Sequence, residues 1–118
     1  MGKEPIIIVG GEPNSVFLEI FFKSLKTNTF KSPLIIIVSK KLLQKQMRKL
    51  NFYFKINDIN KKLKDFSKLN NNQINLINVD YDFKECFEKI TSKSNKYIDE
   101  TFKTALNFIK QNNLSKFI

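Results

Sequence analysis

The first loop of the chain carries the residues best suited to bind a ligand. It runs from Gly10 to Ser15, between an apolar run at 6–9 and a stretch with helical spacing. Glycines allow a ligand to approach the backbone closely, and a helix N-terminus offers free N–H groups to an anion or a cofactor. The loop has neither the G-x-G-x-x-G nor the Walker A pattern. A tight turn that binds nothing explains these residues equally well.

The chain contains no histidine. This excludes, within these residues, a Ser-His-Asp triad, a Cys-His pair and every metal site that needs an imidazole. Asp80, Asp82 and Glu85 form an acidic cluster after a predicted strand and have the oxygen ligands that Mg²⁺ prefers. More commonly, such residues lie at the N-terminus of a following helix, where their negative charge interacts favourably with the helix dipole. Cys86, with no base to activate it, is more typical of a small core residue than of a nucleophile.

The charge of the chain is strongly positive. Twenty-one basic residues against 11 acidic ones give +10, a balance that would ordinarily suggest nucleic acid or an anionic membrane as a partner. All but one of the basic residues are lysine, however, and Arg48 is the single arginine. Lysine, asparagine and isoleucine share A- and T-rich codons, so base composition accounts for the excess. We expect most lysines to lie on a solvated surface and neither a membrane nor nucleic acid to be a partner.

Length and composition favour one globular domain. The 118 residues are 42% hydrophobic and include 12 phenylalanines but only 3 glycines and 3 prolines, which is typical of a chain with a packed core. A single cysteine cannot form an internal disulfide, so we expect a reducing, cytoplasmic location. The sequence has no apolar run long enough to span a bilayer and no signal peptide at its start.

Strand and helix signals alternate along the chain. Apolar runs predict buried strands at 6–9 and 34–38, and alternation predicts strands at 52–56 and 74–79. Helical spacing predicts one helix that begins near Asn14 or Ser15 and is apolar over most of its girth, and a second helix capped by Ser39 and ended by Asn51. Residues 59–69 fit either a helix that uses Leu63, Phe66 and Leu69 or, because of their lysine density, an exposed and loosely held excursion. A short helix is also expected at 83–90. A final helix at about 95–111 should bury Ile98, Phe102, Ala105 and Ile109, and 114–118 should begin another strand. This order predicts an α/β fold, a three-layer open and mostly parallel sheet with helices on both faces. We expect residues 1–118 to form a single α/β domain that is an incomplete N-terminal segment of a longer chain.

The first loop also resembles the start of a known enzyme family. Gly11-Glu12-Pro13, with Val16 and Glu19 behind it, matches the opening Gly-Glu-Pro-Ala-Gly-Ile-Gly-Pro-Glu of 4-hydroxythreonine-4-phosphate dehydrogenases. Residues 34–50 resemble the second strand and helix of that family. The stretch 95–100, Asn-Lys-Tyr-Ile-Asp-Glu, falls where the family has Asn-Gly-x-Tyr-Val-x-Glu, and 116–118 falls before its Thr-Gly-Pro-x-x-Lys segment. The resemblance covers this whole chain but only the first part of the family's usual length.

The resemblance implies a fold like that of isocitrate and isopropylmalate dehydrogenases, in a cytoplasmic homodimer. It implies an NAD-dependent dehydrogenase that oxidises 4-phosphohydroxy-L-threonine, a small phosphorylated substrate whose oxidation is followed by decarboxylation, in vitamin B6 biosynthesis. The full-length family uses NAD and a divalent metal (zinc, magnesium or cobalt) held by histidines. Those histidines have no counterpart here, so no catalytic residue or metal ligand is assigned, and this segment alone is expected to be inactive and to hold neither group. The candidate cofactor contacts are Gly11, Glu12, Pro13 and Asn14.

The alternative interpretation is a small basic α/β module that binds nucleotides or nucleic acid. It rests on the net charge of +10. Its affinity for an oligonucleotide would fall steeply as salt rises.

Overall fold

A computed structural model describes residues 4–10, 16–81, 92–112 and 114 of the chain, without the side chains of residues 92–95. The described elements, in chain order, are β1 (Ile6–Val9), α1 (Phe17–Thr27), β2 (Leu34–Val38), α2 (Lys40–Lys49), β3 (Ile56–Asp58), β4 (Ile74–Asn78) and α3 (Ser92–Asn112). None of the described helices is long and apolar enough to cross a lipid bilayer.

The four described strands form one sheet in the order β1-β2-β4-β3, and every pairing is parallel. Ile6 lies opposite Leu34, and Ile36 lies opposite Leu76, so β2 and β4 form the centre of the sheet. Parallel strands require crossover connections, which place helices on the faces of the sheet. The predicted α/β fold class is confirmed.

The two faces of the sheet are covered by different elements. Ile6 and Ile8 point towards α1, which lies with α2 on one face. Helix α3 packs on β1 and β2, on the opposite face, which is shared by Ile7, Ile35 and Ile37 because side chains alternate along a strand. All three are fully buried. Burial on both faces explains why the runs at 6–9 and 34–38 are apolar without interruption.

Helix α2 forms as its sequence predicts. The Ser39 hydroxyl accepts a hydrogen bond from the Leu42 N–H at 3.3 Å, and Leu43 and Met47 are buried against the sheet side of the helix. Asn51 has a φ of 61°, the left-handed conformation that asparagine tolerates at a helix end. Cap, apolar stripe and terminator therefore agree on the same helix.

The third strand lies further along the chain than predicted. Hydrogen-bonded pairing covers Ile56–Asp58, whereas the aromatic stretch before it is extended but unpaired. The Phe52 N–H donates to the Met47 carbonyl oxygen at 2.9 Å, and the Phe54 N–H points at the Met47 sulfur at 3.4 Å. These bonds tie the stretch to the end of α2 rather than to a neighbouring strand.

The helix considered for residues 59–69 does not form. The Asn60 side chain accepts a hydrogen bond from the Lys62 N–H at 2.8 Å, and the Asp65 side chain accepts one from the Ser67 N–H at 3.0 Å. Such local side-chain bonds offer the backbone an alternative to the helical ladder. The segment instead makes turns and lays Phe66 against Phe108 of α3, with ring centroids 6.0 Å apart.

Helix α3 is present, but its buried face differs from the predicted stripe. The buried side chains described on it are Tyr97, Thr101, Ala105 and Phe108. Phe102, predicted to be in the core, is 41% exposed, whereas Ile98 and Ile109 are half-buried. Thr101 can be buried because its hydroxyl donates to the Ile98 carbonyl oxygen at 2.7 Å. A hydroxyl satisfied within its own helix carries little penalty in a core.

Helix α1 is less completely covered than predicted. Phe22 is fully buried, but Ile20 is 55% exposed and Val16 is 60% exposed. The described helix begins at Phe17, and the predicted caps Asn14 and Ser15 lie outside the described residues. The predicted helix at 83–90 and the predicted start of a strand at Phe117 and Ile118 also lie outside them.

Candidate functional site

The carboxyl ends of the parallel strands meet at one edge of the sheet, which is where open α/β folds bind ligands. Gly10 follows β1, Ser39 follows β2, and Asn78 and Asp58 are the last residues of β4 and β3. We refer to this part of the molecule as the carboxyl edge. The candidate loop is connected to it at both ends, because the loop begins at Gly10 and Val16 follows it at the N-cap of α1.

Three N–H groups at the start of α2 are already occupied at this edge. The Leu42 N–H donates to the Ser39 hydroxyl, the Lys40 N–H donates to Asn78 Oδ1 at 2.8 Å, and the Ser39 N–H donates to the Tyr97 hydroxyl oxygen at 2.8 Å. An anion would have to displace a protein partner to reach any of them. The α2 N-terminus is therefore closed by the protein itself.

Tyr97 lies at the centre of this closure. Burial raises the pKa of its hydroxyl well above the usual value, the nearby Tyr81 raises it further, and the hydrogen bond from the Ser39 N–H opposes both effects. The Tyr81 and Tyr97 ring centroids are 4.7 Å apart. A phenol with a raised pKa stays protonated near neutral pH. The hydrogen bond from the Ser39 N–H therefore gives Tyr97 a structural role, which is to position α3 against the end of β2. It lies within the Asn-Lys-Tyr-Ile-Asp-Glu stretch of the sequence resemblance.

Charged and amide groups line the solvent side of the same edge. The Asn78 amide donates to Asp80 Oδ1 at 3.0 Å, and the Lys40 ammonium pairs with Asp58 Oδ2 at 2.7 Å. Both partners of that ion pair are partly exposed, so the pair adds little stability. It neutralises the one lysine closest to the strand ends.

The predicted acidic cluster can be placed only in part. Asp80 is exposed at the end of β4, and Asp82, Glu85 and Cys86 lie outside the described residues. Within the described part of the chain, no three His, Cys, Asp or Glu side chains come together to hold a metal ion. The described residues therefore do not fit the metal that the sequence resemblance implies.

Gly10 has a structural reason to be glycine. A Cβ atom at this position would lie 2.8 Å from Val38 Cγ2 and 3.3 Å from the Ile37 carbonyl oxygen. The Gly10 N–H donates to that same oxygen at 2.9 Å and so continues the β1–β2 ladder. Close packing of two strand ends requires the glycine, and Gly10 is therefore no evidence for a bound cofactor.

The candidate cofactor contacts Gly11, Glu12, Pro13 and Asn14 all lie outside the described residues. What the structure gives is the position of the two ends of their loop. Val16 makes no side-chain hydrogen bond that caps α1, in contrast to the side chains that close α2. The loop thus remains the candidate for an anion or cofactor contact at this edge.

Sequence reasoning missed the asparagines. Asn75 is 1% exposed in the middle of the sheet, where its amide donates to the Leu34 and Asn70 carbonyl oxygens, each at 3.0 Å, and its Oδ1 accepts from the Asn57 amide at 3.1 Å. Asn71 accepts from the Leu34 N–H at 2.9 Å. An asparagine that interrupts an apolar strand is a signal for a buried hydrogen-bonding residue. Because the asparagines are attributed to base composition, this signal is missed from the sequence alone.

Comparison with solved structures identifies proteins of similar fold. The fold matches that of a 4-hydroxythreonine-4-phosphate dehydrogenase. The crystal structure of this enzyme from Burkholderia phymatum superposes with a TM-score of 0.75 and 17% sequence identity, over 97% of this chain and 35% of that one. The chain thus spans about a third of the length of the dehydrogenase that it resembles. No protein-family model and no curated protein matches the sequence.

The match confirms, at the level of fold, the resemblance noted in the sequence. It aligns nearly the whole chain with part of a larger α/β enzyme, whereas the sequence motifs that suggested the same family cover a few residues each. The TM-score of 0.75 shows the shared fold. At 17% identity, the ligand contacts of the dehydrogenase are not assigned to residues of this chain.

Proposed function

We propose that this chain is the N-terminal part of an NAD-dependent dehydrogenase that acts on 4-phosphohydroxy-L-threonine, with decarboxylation of the product, in vitamin B6 biosynthesis. The fold match over 97% of the chain is the observation that carries this proposal. The Gly11-Glu12-Pro13 motif supports it independently, because the two ends of that loop lie at the ligand-binding edge of the sheet.

In this proposal the first loop contacts the cofactor. Gly11 and Asn14 bring backbone N–H groups close to an anionic group of NAD, and the N-terminus of α1 adds its dipole. Pro13 restricts the backbone and so holds the loop in one shape. When bound, NAD supplies the hydride acceptor and a divalent metal polarises the substrate oxygen, and the residues that hold the metal come from outside these 118 residues.

An apolar groove beside β1 supports the view that more protein belongs here. We call it the β1 groove; it has a volume of about 220 Å³, and six of its apolar lining residues are Ile6, Ile8, Phe17, Ile20, Phe30 and Leu34. Exposed apolar surface of this kind is covered in larger assemblies. We propose that later parts of the same polypeptide cover it, in a cytoplasmic homodimer.

The experiment begins with the coding DNA downstream of codon 118. The proposal expects an open reading frame that continues in phase and contains histidines. The protein encoded by the whole frame should form NADH with 4-phosphohydroxy-L-threonine in a metal-dependent reaction. The 118-residue chain by itself should form none, because a chain without histidine offers only scattered carboxylates and lysines to remove the hydroxyl proton and to stabilise the charge on the product oxygen.

Variants of the loop test the assigned contacts. In the whole protein, Gly11→Val and Asn14→Asp should raise the KM for NAD, with a smaller change in KM for the phosphorylated substrate. Asn107→Asp is the matched control, because Asn107 is exposed on α3 and the change adds the same charge away from the carboxyl edge. Equal effects of Asn14→Asp and Asn107→Asp would contradict the loop assignment, and a stop codon with no continuation would contradict the dehydrogenase.

A further inference from the structure

A second groove lies near the other outer strand of the described sheet, between α2 and the segment that leads into β3. Its volume is about 630 Å³, and its lining includes Lys40, Gln44, Arg48, Tyr53, Lys55 and Ile56. We call it the β3 groove. Lys40, Gln44 and Arg48 are spaced four residues apart, so they follow one side of α2 over about 12 Å.

The β3 groove has an uncompensated positive charge. Its described lining contains two lysines and Arg48, the single arginine of the chain, and no carboxylate. Lys40 is neutralised by Asp58. Within the described part of the chain, no carboxylate pairs with Arg48 or Lys55. A guanidinium and an ammonium in one groove form a site that favours phosphate oxygens.

The groove also presents an aromatic ring to solvent. Burial alternates along the segment, with Phe52 and Phe54 half-buried and Tyr53 and Lys55 exposed. The two phenylalanines pack on Phe22 at centroid distances of 5.4 and 6.2 Å. Tyr53 is 84% exposed, so its ring adds almost nothing to the core.

The packing of the segment holds Tyr53 in place. Phe52 and Phe54 anchor the residues on either side of it, and the Met47 carbonyl fixes the backbone at 2.9 Å from the Phe52 nitrogen. An exposed ring on an anchored backbone next to cations is the arrangement with which proteins bind single strands, by stacking a base on the ring and setting phosphates against the charges.

We propose that the β3 groove binds single-stranded nucleic acid, with a base stacked on Tyr53 and phosphates against Arg48 and Lys55. The site is independent of the dehydrogenase proposal, because it uses none of the residues of the first loop. It brings together Arg48 and two of the lysines of the chain, a placement that base composition does not explain.

The test measures the fluorescence anisotropy of a labelled oligothymidylate titrated with the 118-residue chain at several salt concentrations. We expect saturable binding at low salt that weakens as salt rises. Arg48→Gln should weaken binding and lower the slope of log K against log salt by about 0.7, the value for one phosphate on a single strand. Lys103→Gln is the control, because Lys103 is exposed on α3.

The tyrosine variants separate stacking from charge. Tyr53→Ser should weaken binding about fivefold or more with no change in the salt slope, because one stacked base is lost and every phosphate contact is kept. Tyr53→Phe should bind as the wild type does. Phe102→Ser, at the partly exposed phenylalanine of α3, is the matched control for loss of an aromatic side chain.

Several outcomes would overturn the proposal. They are the absence of saturable binding at low salt, equal losses for Arg48→Gln and Lys103→Gln, and a Tyr53→Ser variant that binds as the wild type does. Competition distinguishes the remaining ligands. If thymidine monophosphate competes as strongly as the oligonucleotide, the groove binds a free nucleotide. If polyglutamate competes equally strongly, the groove binds an acidic protein.

Discussion

The two outer strands of the described sheet, β1 and β3, differ in almost every respect. Strand β1 has four apolar residues, β-branched throughout, and lies beside the apolar β1 groove. Strand β3 has three residues, Ile56, Asn57 and Asp58, and lies beside the charged β3 groove. Short polar strands are a usual way to end a sheet in water, whereas a flat apolar edge invites further pairing. Within the described sheet, β3 therefore has the features of an edge that ends in water, whereas the β1 side has an apolar surface that favours further pairing or packing.

The difference extends to what holds each strand in the sheet. Strand β3 is held to β4 by polar contact, since the Asn57 amide donates a hydrogen bond to Asn75 Oδ1, whereas the exposed Lys40–Asp58 ion pair adds little. Strand β1 relies on close apolar packing, which leaves no room for a side chain at Gly10. Loss of the Asn75 amide should therefore destabilise the β3 side of the sheet, and a methyl group added at Gly10 should destabilise the β1 side.

The largest effect should come from Asn75→Ala, on the β3 side. The change removes three hydrogen bonds and leaves the buried carbonyl oxygen of Leu34 and the partly buried one of Asn70 without their amide donor, at a cost of about 2–4 kcal/mol in the free energy of unfolding. Urea unfolding followed by circular dichroism measures it. Asn72→Ala, at an exposed turn residue, is the control. Similar losses in the two variants would refute the polar attachment of β3.

Gly10→Ala should be next, on the β1 side. The added Cβ would meet Val38 Cγ2 at 2.8 Å, and overpacking of this kind costs about 1–3 kcal/mol. Removing the Val38 methyl groups should relieve the clash, so a cycle with Val38→Ala should show a favourable coupling energy in urea unfolding. Additive losses in the double variant would mean that the two strand ends are not in close contact.

Tyr97→Phe tests the helix that covers β1 and β2 but not β3. The variant leaves the Ser39 N–H without its partner, which should cost about 1–2 kcal/mol near neutral pH. Because folding raises the pKa of Tyr97 above its ordinary value of 10.0, the unfolded chain loses this proton first. The wild type should therefore lose stability as pH rises through 10 towards the folded pKa, and the variant should lack this part of the loss. Parallel curves for the two proteins would contradict a buried neutral phenol.

The smallest change in stability should come from Ile20→Gln, in the β1 groove. Ile20 is 55% exposed, so the free energy of unfolding should change by less than about 0.5 kcal/mol. Self-association of the 118-residue chain should nevertheless decrease, as measured by sedimentation across a concentration series. Tyr53→Ser, in the β3 groove, should leave association unchanged. A wild-type chain that is monomeric at every concentration and unfolds cooperatively would contradict self-association through the β1 groove. It would also contradict the proposal that the chain is a segment of a longer protein.

The sequence predicted those elements whose signals are local. The runs that became β1 and β2, and the cap, stripe and terminator of α2, all act within about ten residues and needed no tertiary information. Of the two alternatives for 59–69, the helix fails because Asn60 and Asp65 bind the nearby backbone, a competition that apolar spacing does not register. The buried face of α3 was misjudged because Tyr97 and Thr101 are buried through hydrogen bonds, whereas hydropathy favoured Phe102.

The candidate site was less predictable, for a physical reason. The first loop was recognisable because glycines and a proline mark it in the sequence. The closure of α2 depends on Asn78 and Tyr97, which are distant in the chain and have no special spacing relative to Ser39. The β3 groove depends on the anchoring of Phe52 and Phe54, which leaves the Tyr53 ring exposed, and the sequence carries no signal for that anchoring.

The closure of α2 also has a consequence for the order of events during synthesis. The Leu42 N–H bonds to Ser39, 3 residues before it, whereas the N–H groups of Lys40 and Ser39 bond to Asn78 and Tyr97, which lie 38 and 58 residues further along the chain. As the chain leaves the ribosome from its N-terminus, the first acceptor is at hand when the helix forms, the second arrives with β4, and the third arrives with α3. The start of α2 is therefore completed in three stages, and a nascent chain that ends before Tyr97 carries a helix whose first turn is still open to solvent.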